Sequence, residues 1–597
     1  MLSCNDGIRR RIRYLAVGLL LFFGYLIVRL YLVQVRDHEK YYQEARKKYI
    51  TSKTIKGSRG EIFDFHGNLL VGNMPRQDVS ITPCNIKPSE DKKLAQILSR
   101  ELNLDYHKVL SKVSRKSRVE KNPDGTEHTI QIKYAAITSK ISLETARHLR
   151  NTLKKHKLSR HVHFEDVQER YYPKGQLLSN ALGLTQVTDG KIVPTMGVEK
   201  QFNQALSSDS GKRTFMRSLD GWQMGDKPIN EKDSHDGQDL YLTIVEPIQA
   251  ILEDELDKVV KKWQPLAAYA IMVDPVTGNV LGIAERPSFD PNNRKTLTGS
   301  AFRMRAINDY YEPGSIMKPV TVAGALDYHI VTPSTQIDCE KAIWFFRGSR
   351  LTDTHAYGLQ DVTGVIRKSS NIGTAKIAVM MGEQRLYRTF RRFGFGAKSG
   401  LQLTPESSGK LHPLKRWDGL SISRFCIGYG IGCTPVQMVR AYCALANRGK
   451  LPQLRLLDRM VNTDTGKVTR YPTPPPVNIY SDPATGEAIV RMMVTVTEKG
   501  GTATRAAIPG YHVAGKTGTS HKNIGRQYVN KYYASFVGFV PAEKPAFVLL
   551  ITVDEPKGGK FGGTVAAPAW KAIAERTLKY MNIPPNVPLE DKKTLRN

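Results

Sequence analysis

Ser315 and Lys318 are the two side chains whose spacing most clearly suits nucleophilic chemistry. A serine hydroxyl attacks a carbonyl only after a base has taken its proton, and a lysine amine can act as that base once it is neutral. Pro319 fits the first turn of a helix, where its missing N–H is not needed, so we expect a helix to open near Ser315. Residues three apart share a helix face, which brings the amine towards the hydroxyl.

The Ser-x-x-Lys pattern has little weight alone, because it recurs at Ser89–Lys92 and Ser407–Lys410. Two further motifs make it specific. A Ser-x-Asn motif occupies Ser369–Asn371, and a Lys-Thr-Gly motif at Lys516–Gly518 is followed by Thr519. The ordered set of three motifs is far more specific than any one of its members.

The ordered set resembles the active-site motifs of the penicillin-recognising serine enzymes. Similarity to the class B penicillin-binding proteins covers nearly all of the chain up to about residue 582. It is carried by Arg59-Gly60-Glu61-Ile62-Phe63-Asp64, Arg170-Tyr171-Tyr172-Pro173, Gly197-Val198-Glu199, Glu312-Pro313-Gly314, Gly428-Tyr429-Gly430, Thr434-Pro435, Gly562-Gly563 and Ala567-Pro568. Lys368–Asn371 and Lys516–Tyr533 look most like the cell-division transpeptidases of this class, the penicillin-binding protein 3 group.

The resemblance implies a peptidoglycan D,D-transpeptidase that crosslinks stem peptides ending in D-Ala-D-Ala, through a serine acyl-enzyme, during septal cell-wall synthesis. It also implies a target of β-lactam antibiotics and an enzyme without a metal or cofactor. Residues 36–235 show no resemblance to a glycosyltransferase. A multispanning glycan polymerase is therefore an expected partner, together with other division proteins.

Motif position implies the roles of the residues around the nucleophile. Ser315 would attack the carbonyl between the last two D-alanines, and Lys318 would act as its base. Ser369 would relay protons towards the leaving amine. Asn371 would position both the substrate amide and Lys318. An amine from a neighbouring stem peptide would then resolve the acyl-enzyme.

The Lys-Thr-Gly motif implies the substrate-binding groups. Lys516 would keep the site positive, which helps Lys318 to lose its proton and binds the terminal carboxylate of the substrate. Thr517, Gly518 and Thr519 would complete the binding segment, with the two hydroxyls as donors. The backbone N–H groups of Ser315 and Thr519 would form the oxyanion hole, where one donor contributes roughly 2.7–4 kcal/mol.

Other interpretations stay open. Taken separately, Ser315 could be a helix N-cap, Ser369 and Asn371 turn formers, and Lys516–Thr519 the end of an edge strand. The whole protein could be an elongation-type (sidewall) transpeptidase, or a catalytically silent penicillin-binding scaffold of the division machinery. Rapid hydrolysis of the kind seen in class A β-lactamases is not expected, because the nearest glutamate segment, Glu383–Tyr387, lacks the required asparagine.

The N-terminal segment indicates a membrane anchor. Tyr14–Val35 is a mostly apolar stretch of 22 residues, about 33 Å of helix, which can cross a bilayer. The preceding Arg9–Arg13 segment carries four arginines, so the positive-inside rule places the N-terminus in the cytoplasm. We expect a single-pass protein of the bacterial inner membrane, with a periplasmic catalytic domain, at the division septum. A cleaved signal peptide is the alternative, but Val33–Glu39 lacks the small residues of a cleavage site.

The net charge of +32 over 597 residues indicates an anionic partner. A location outside the cytoplasm argues against nucleic acid and for the membrane surface, a wall polymer or a partner protein. The six cysteines have no Cys-x-x-Cys spacing, so neither a zinc ribbon nor a redox motif is indicated. How the external cysteines pair is left open.

Hydrophobic patterning predicts strands at both ends of the C-terminal part, with helices between them. The family resemblance implies the α/β (α+β) class, with a central antiparallel sheet flanked by helices. Hairpins are expected at 267–284 and 534–553, helices at Val365–Met381 and Thr434–Asn447, and a closing helix at Ala566–Tyr580. The predicted order is a cytoplasmic tail (1–13), a transmembrane anchor (14–35), a mixed α/β pedestal or dimerisation-type module (36–238), a serine β-lactamase/transpeptidase-like domain (239–582) and a C-terminal tail (583–597).

Overall fold

The computed structural model describes residues 4–122, 125–188, 191–217, 223–224, 230–525 and 527–588. The chain divides into two compact units, one formed by residues 1–59 and 207–237 and the other by residues 60–206 and 238–597. The last part of the predicted C-terminal tail, residues 589–597, lies outside the described residues. The predicted domain boundaries stay a prediction.

The first unit begins with the helix Cys4–Tyr31, which continues into a π-helical turn at Leu32–Arg36. Its apolar side chains are exposed, with Leu20 and Leu21 at 72% and 71%, so it is not the core helix of a soluble domain. Residues Gly7–Arg36 are long and apolar enough to cross a membrane. The apolar helix expected over 14–35 is therefore present. The observed helix begins earlier, at Cys4, and so also includes the arginine-rich segment.

The remainder of the first unit is a helix, His38–Tyr49, and a small antiparallel sheet. In this sheet Ile50–Lys56 pairs with Ser210–Arg217, although the two strands are far apart in sequence. Ser210–Arg217 also pairs with the short strands Gln223–Met224 and Asn230–Lys232.

The second unit contains a seven-stranded mixed sheet built from both halves of the chain. Its strands, in sheet order, are Val468–Arg470, Leu457–Val461, Asp239–Leu242, Ile62–Phe63, Leu69–Ile81 and Ala135–Ile141, with Val162–Tyr171 also pairing with Leu69–Ile81. The helices Asp91–Leu102, Tyr106–Ser114 and Leu143–Lys155 pack their apolar faces into one core with this sheet. The buried ion pair between Arg170 and Glu199, 2.7 Å long, joins two of the family-like segments of this region.

Smaller elements complete the region before residue 238. They are the strand pairs Ser117–Lys121 with Glu127–Gln131 and Thr185–Thr188 with Lys191–Pro194, and the short helices Ser179–Leu182, Gly197–Gln201 and Asn203–Leu206.

A five-stranded antiparallel sheet forms the centre of the C-terminal part of the second unit. Its order is Val280–Arg286, Ala267–Val273, Phe547–Asp554, Gln527–Val540 and Ala514–Ile524. This arrangement confirms the two predicted hairpins. The central strand Phe547–Asp554 is buried at every residue, as expected for a sheet covered on both faces. Val280–Arg286 and Ala514–Ile524 are the two outer strands of this sheet. We call Ala514–Ile524 the edge strand.

Helices cover this sheet and also form a separate layer beside it. They are Glu246–Trp263, Arg305–Asn308, Lys318–Asp327, Val362–Lys368, Asn371–Met381, Glu383–Arg392, Ser421–Phe425, Pro435–Ala446, Ala484–Val494, Gly562–Val565 and Ala567–Tyr580. The layer also contains the hairpin Ile343–Phe346 with Ser349–Thr352, and the strand pairs Gln336–Asp338 with Leu359–Asp361 and Lys450–Leu451 with Val477–Asn478.

The predicted helices at Thr434–Asn447 and Ala566–Tyr580 are confirmed. Thr434 starts the first of them with a capping box, in which its side chain and that of Gln437 each bind the other's backbone N–H. The continuous helix expected over Val365–Met381 is wrong, because the chain breaks at Ser369 and Ser370. The cysteines with described side chains, Cys84, Cys339, Cys426, Cys433 and Cys443, are free thiols.

Candidate active site

Ser315 lies in a 3₁₀ turn, Gly314–Met317, that leads into the helix Lys318–Asp327, and we call it the nucleophile turn. The predicted helix therefore begins three residues after Ser315. Gly314 has φ of 60°, and a Cβ atom there would lie 3.1 Å from the carbonyl oxygen of Thr519. Its N–H donates to the carbonyl oxygen of Gly428 at 3.1 Å. The edge strand and the Gly428 loop thus hold the turn while the Ser315 side chain stays partly exposed.

Lys318 is fully buried, and its amine is held by the Ser-x-Asn motif. Its Nζ donates to the carbonyl oxygen of Ser369 at 2.5 Å, to Ser369 Oγ at 3.2 Å and to Asn371 Oδ1 at 2.7 Å. Burial lowers the pKa of Lys318 to about 8, although the charge of Asp353 acts to raise it. A useful fraction of the amine is therefore neutral near pH 7–8, as a general base requires.

The break in the helical segment explains how Ser369 reaches Lys318. Ser369 has φ of 60°, in the left-handed region, and it ends the helix Val362–Lys368. Ser370 then caps the next helix, since its Oγ accepts from the N–H of Gly373 at 2.8 Å. An uninterrupted helix would use the Ser369 carbonyl within its own backbone. Here that carbonyl is free to accept the Lys318 amine.

Lys516 approaches the same hydroxyl from the edge strand. Its Nζ donates to Ser369 Oγ at 2.8 Å, so this one hydroxyl lies between the amines of Lys318 and Lys516. Burial, followed by the charge of Lys318, lowers the pKa of Lys516 well below its ordinary value. The site therefore opposes two simultaneous positive charges. Because a hydroxyl donates one proton and accepts others, Ser369 can bridge one neutral and one charged amine.

The edge strand brings the remaining motif residues to the nucleophile turn. A Cβ atom at Gly518 would lie 3.0 Å from Ile316 Cγ2 and 3.1 Å from the carbonyl oxygen of Pro313, so only a glycine permits this approach without displacement. Thr517 Oγ1 donates to Thr502 Oγ1 at 3.2 Å, and Thr519 Oγ1 accepts from the N–H of Gly562 at 3.2 Å. The free edge of the strand offers backbone groups to an extended peptide.

Asp353 is a residue that sequence reasoning missed. It follows the hairpin strand Ser349–Thr352, and its carboxylate accepts from Ser370 Oγ at 2.5 Å, from the N–H of Ile372 at 3.3 Å and from the N–H of Asn371. Asn371 Nδ2 in turn donates to the carbonyl oxygen of Thr352 at 2.8 Å. A single aspartate in a loop belongs to no sequence motif, so only the fold identifies it as a positioning residue for Ser370 and Asn371.

We expect Asp353→Asn to slow acylation by fluorescent penicillin by roughly tenfold to 100-fold, because small misplacements of reacting groups are costly. The negative charge of Asp353 acts to raise the pKa of Lys318. When this charge is removed, the pKa of Lys318 should fall, so the acylation rate should begin to rise at a lower pH. The measurement is the second-order acylation rate constant across a pH series.

Asp361→Asn is the matched control, since Asp361 caps the neighbouring helix at Gly364. A wild-type pH profile in Asp353→Asn would contradict this role.

Comparisons with known proteins assign both main parts of the chain to described domain families. Residues 268–575 match the family described as penicillin binding protein transpeptidase domain, and residues 54–242 match the penicillin-binding protein dimerisation domain. The chain is 30% identical over 574 residues to the peptidoglycan D,D-transpeptidase FtsI of Escherichia coli K12, covering 95% of this chain and 91% of that protein. It is 28% identical over 583 residues to the probable peptidoglycan D,D-transpeptidase PenA of Neisseria gonorrhoeae, covering 97% and 94%.

The fold is also that of a solved structure. Penicillin binding protein 2X of Streptococcus thermophilus superposes with a TM-score of 0.73 at 21% identity, over 89% of this chain and 80% of that one. The transpeptidase match covers more than half of the chain, and the dimerisation match covers most of the region before it. The chain therefore belongs to the class B penicillin-binding proteins, which combine a dimerisation domain with a transpeptidase domain.

Proposed function

We propose that this chain is a membrane-anchored peptidoglycan D,D-transpeptidase of the division septum, with Ser315 as its nucleophile. One observation carries the proposal most directly. The buried amine of Lys318, with a pKa of about 8, is held by Ser369 and Asn371 at the end of the nucleophile turn. An exposed lysine would stay charged at neutral pH, whereas this one can act as a base.

Donor binding uses the edge strand. A stem peptide ending in D-Ala-D-Ala adds to the strand, and its terminal carboxylate lies by the hydroxyls of Thr517 and Thr519. The proton shared by Lys516 and Lys318 supplies the compensating positive charge. This refines the expectation that Lys516 keeps the site positive, because burial acts against a permanent charge on Lys516 itself.

Acylation starts at Ser315, in the turn that leads directly into the helix beginning at Lys318. The neutral Lys318 amine takes the Ser315 proton as Oγ bonds to the carbonyl carbon of the penultimate D-alanine. The backbone N–H groups of Ser315 and Thr519 stabilise the oxyanion. When the C–N bond breaks, the leaving D-alanine nitrogen takes a proton from the Ser369 hydroxyl, which receives one from the neighbouring ammonium group.

Deacylation completes the crosslink. An amine from a second stem peptide attacks the ester carbonyl, a new amide bond forms, and the Ser315 hydroxyl is regenerated. A β-lactam mimics the donor and acylates the same serine. No step of this sequence needs a metal or a cofactor.

The membrane topology and partners are part of the proposal. The arginine-rich segment Arg9–Arg13 supports a cytoplasmic N-terminus and a periplasmic catalytic domain. Similarity to FtsI supports action in septal wall synthesis, beside a multispanning glycan polymerase and other division proteins. A fluorescent fusion should concentrate at the septum of dividing cells. An even sidewall distribution would instead favour the elongation-type alternative.

The test of activity uses the purified full chain in detergent, a stem peptide ending in D-Ala-D-Ala and an acceptor amine. We expect release of D-alanine and formation of a crosslinked product, both blocked by benzylpenicillin. Absence of D-alanine release, with penicillin labelling retained, would favour the silent-scaffold alternative and overturn the proposal.

A further inference from the structure

The helix His38–Tyr49 begins two residues after the apolar span, and we call it the juxtamembrane helix. The span ends at Arg36, which forms an ion pair with Asp37 at 3.1 Å. Asp37 has φ of −103° and ψ of 12°, so the juxtamembrane helix is separate from the span. Because Arg36 closes the apolar span, the first turn of the juxtamembrane helix lies at the headgroup region of a bilayer that the span crosses.

Aromatic residues follow one side of the juxtamembrane helix. Tyr41, Tyr42, Ala45 and Tyr49 recur at spacings of three, four, seven and eight residues, which place them on one face. The rings of His38 and Tyr42 stack at 5.8 Å, so this face extends to the first residue of the helix. We call it the tyrosine face. The three tyrosines are 42–51% exposed, so the fold leaves a large part of each ring uncovered.

The positions of the three tyrosines determine how the helix must lie to bring them to a membrane. If the helix followed the membrane normal, a rise of 1.5 Å per residue would place Tyr49 about 20 Å beyond Arg36. That distance exceeds a headgroup region of about 5–8 Å on each side of the bilayer. A helix in the membrane plane keeps all three rings at one depth, in the interfacial region where tyrosine is enriched.

Positive charge accompanies the tyrosine face. Residues 40–59 contain seven lysines or arginines and one acidic residue, Glu44. In the helix, Arg46 and Lys48 occupy the two positions that border the tyrosine face. Basic residues beside a one-sided aromatic surface are typical of helices that bind an anionic membrane surface. A hydrated wall polymer would attract the charge but would offer no apolar environment to the tyrosine rings.

We propose that the juxtamembrane helix lies on the outer surface of the membrane, with the tyrosine face in the headgroup region and its positive charge on the phosphates of anionic phospholipids. The inference rests on the proposed membrane anchor and is independent of the transpeptidase chemistry. It assigns part of the net charge of +32 to the lipid surface.

The experiment measures how brominated phospholipids quench an added tryptophan. The full-length chain with Tyr42→Trp is reconstituted into vesicles of phosphatidylcholine and phosphatidylglycerol, in a ratio of about two to one. In two preparations of the same composition, the bromines are carried either by phosphatidylcholine or by phosphatidylglycerol. We expect the fluorescence added by Tyr42→Trp to be quenched in both, and about twofold or more strongly by brominated phosphatidylglycerol. The difference should shrink in about 1 M salt, which screens the charges.

Three variants serve as controls. Gln43→Trp places the probe on the opposite side of the same helix, at an exposed residue, and should be quenched less than Tyr42→Trp. Leu20→Trp lies within the apolar span and should be quenched strongly by both lipids. Arg46→Gln combined with Lys48→Gln, in the Tyr42→Trp chain, should reduce the difference between the two brominated lipids.

Equal quenching of Tyr42→Trp and Gln43→Trp would show that the helix has no lipid-facing side and would overturn the proposal. Weak quenching of both, beside strong quenching of Leu20→Trp, would also overturn it, because the helix would then stand away from the membrane. Equal quenching by the two brominated lipids at low salt would remove the anionic phosphates as the ligand. Absence of quenching in Leu20→Trp would instead contradict the proposed membrane anchor.

Discussion

Ser315→Ala is expected to abolish covalent labelling by fluorescent penicillin and to reduce D-alanine release by about 10⁴-fold or more. Both effects are expected because alanine has no side-chain oxygen with which to form the acyl ester. Labelling is measured on the full chain after denaturing electrophoresis, so that only a covalent adduct is counted.

Ser407→Ala is the matched control. Ser407 and Lys410 form the second Ser-x-x-Lys pattern of the same domain, and Ser407 Oγ accepts from the N–H of Gly409 at 3.2 Å. This variant should label like the wild type. Stable labelling of Ser315→Ala would show that another nucleophile reacts and would remove Ser315 from the mechanism.

Burial distinguishes the Ser-x-x-Lys pattern at Ser315 from the other two occurrences. Lys92 and Lys410 are exposed, whereas Lys318 is fully buried. Burial lowers the pKa of Lys318 and leaves part of its amine neutral, as a base requires. The sequence spacing is the same in all three places, and the difference in solvation becomes visible only once the helices have packed.

Local patterns sufficed for two hairpins of the central sheet and for two of the helices, but not for the segments that carry the site residues. The hairpins followed from apolar runs joined by turn residues, and the helix after Thr434 followed from its apolar pattern. The break at Ser369 was not predictable in this way. Its cause is tertiary, because Lys318 takes the Ser369 carbonyl and Asp353 binds Ser370 and Asn371.

The same reasoning explains why Asp353 had no predicted role. Asp353 reaches the Ser-x-Asn motif from a hairpin 17 residues earlier, and the contact depends on how that hairpin packs. Spacing rules describe neighbours along one element and do not extend to such contacts.

Lys318→Met is expected to slow acylation by about 10²- to 10⁴-fold, the usual contribution of a general base. Methionine keeps most of the apolar volume and removes the amine, so the buried site stays filled. The amine acts when it is neutral, and its pKa is about 8. In the wild type the acylation rate should therefore rise with pH, with a midpoint near 8, and level off above it.

Both amines contact the Ser369 hydroxyl, so the contacts alone do not say which lysine is the base. The pH profile of the acylation rate distinguishes Lys318 from Lys516. If Lys318 is the base, the residual rate of Lys318→Met should lose the rise near pH 8. Lys410→Met is the control for removal of an exposed lysine from the same domain, and it should keep the wild-type profile. Persistence of the same rise in Lys318→Met would assign the titration to Lys516. The proton of Ser315 would then have to reach Lys516 through the Ser369 hydroxyl, which contacts both amines.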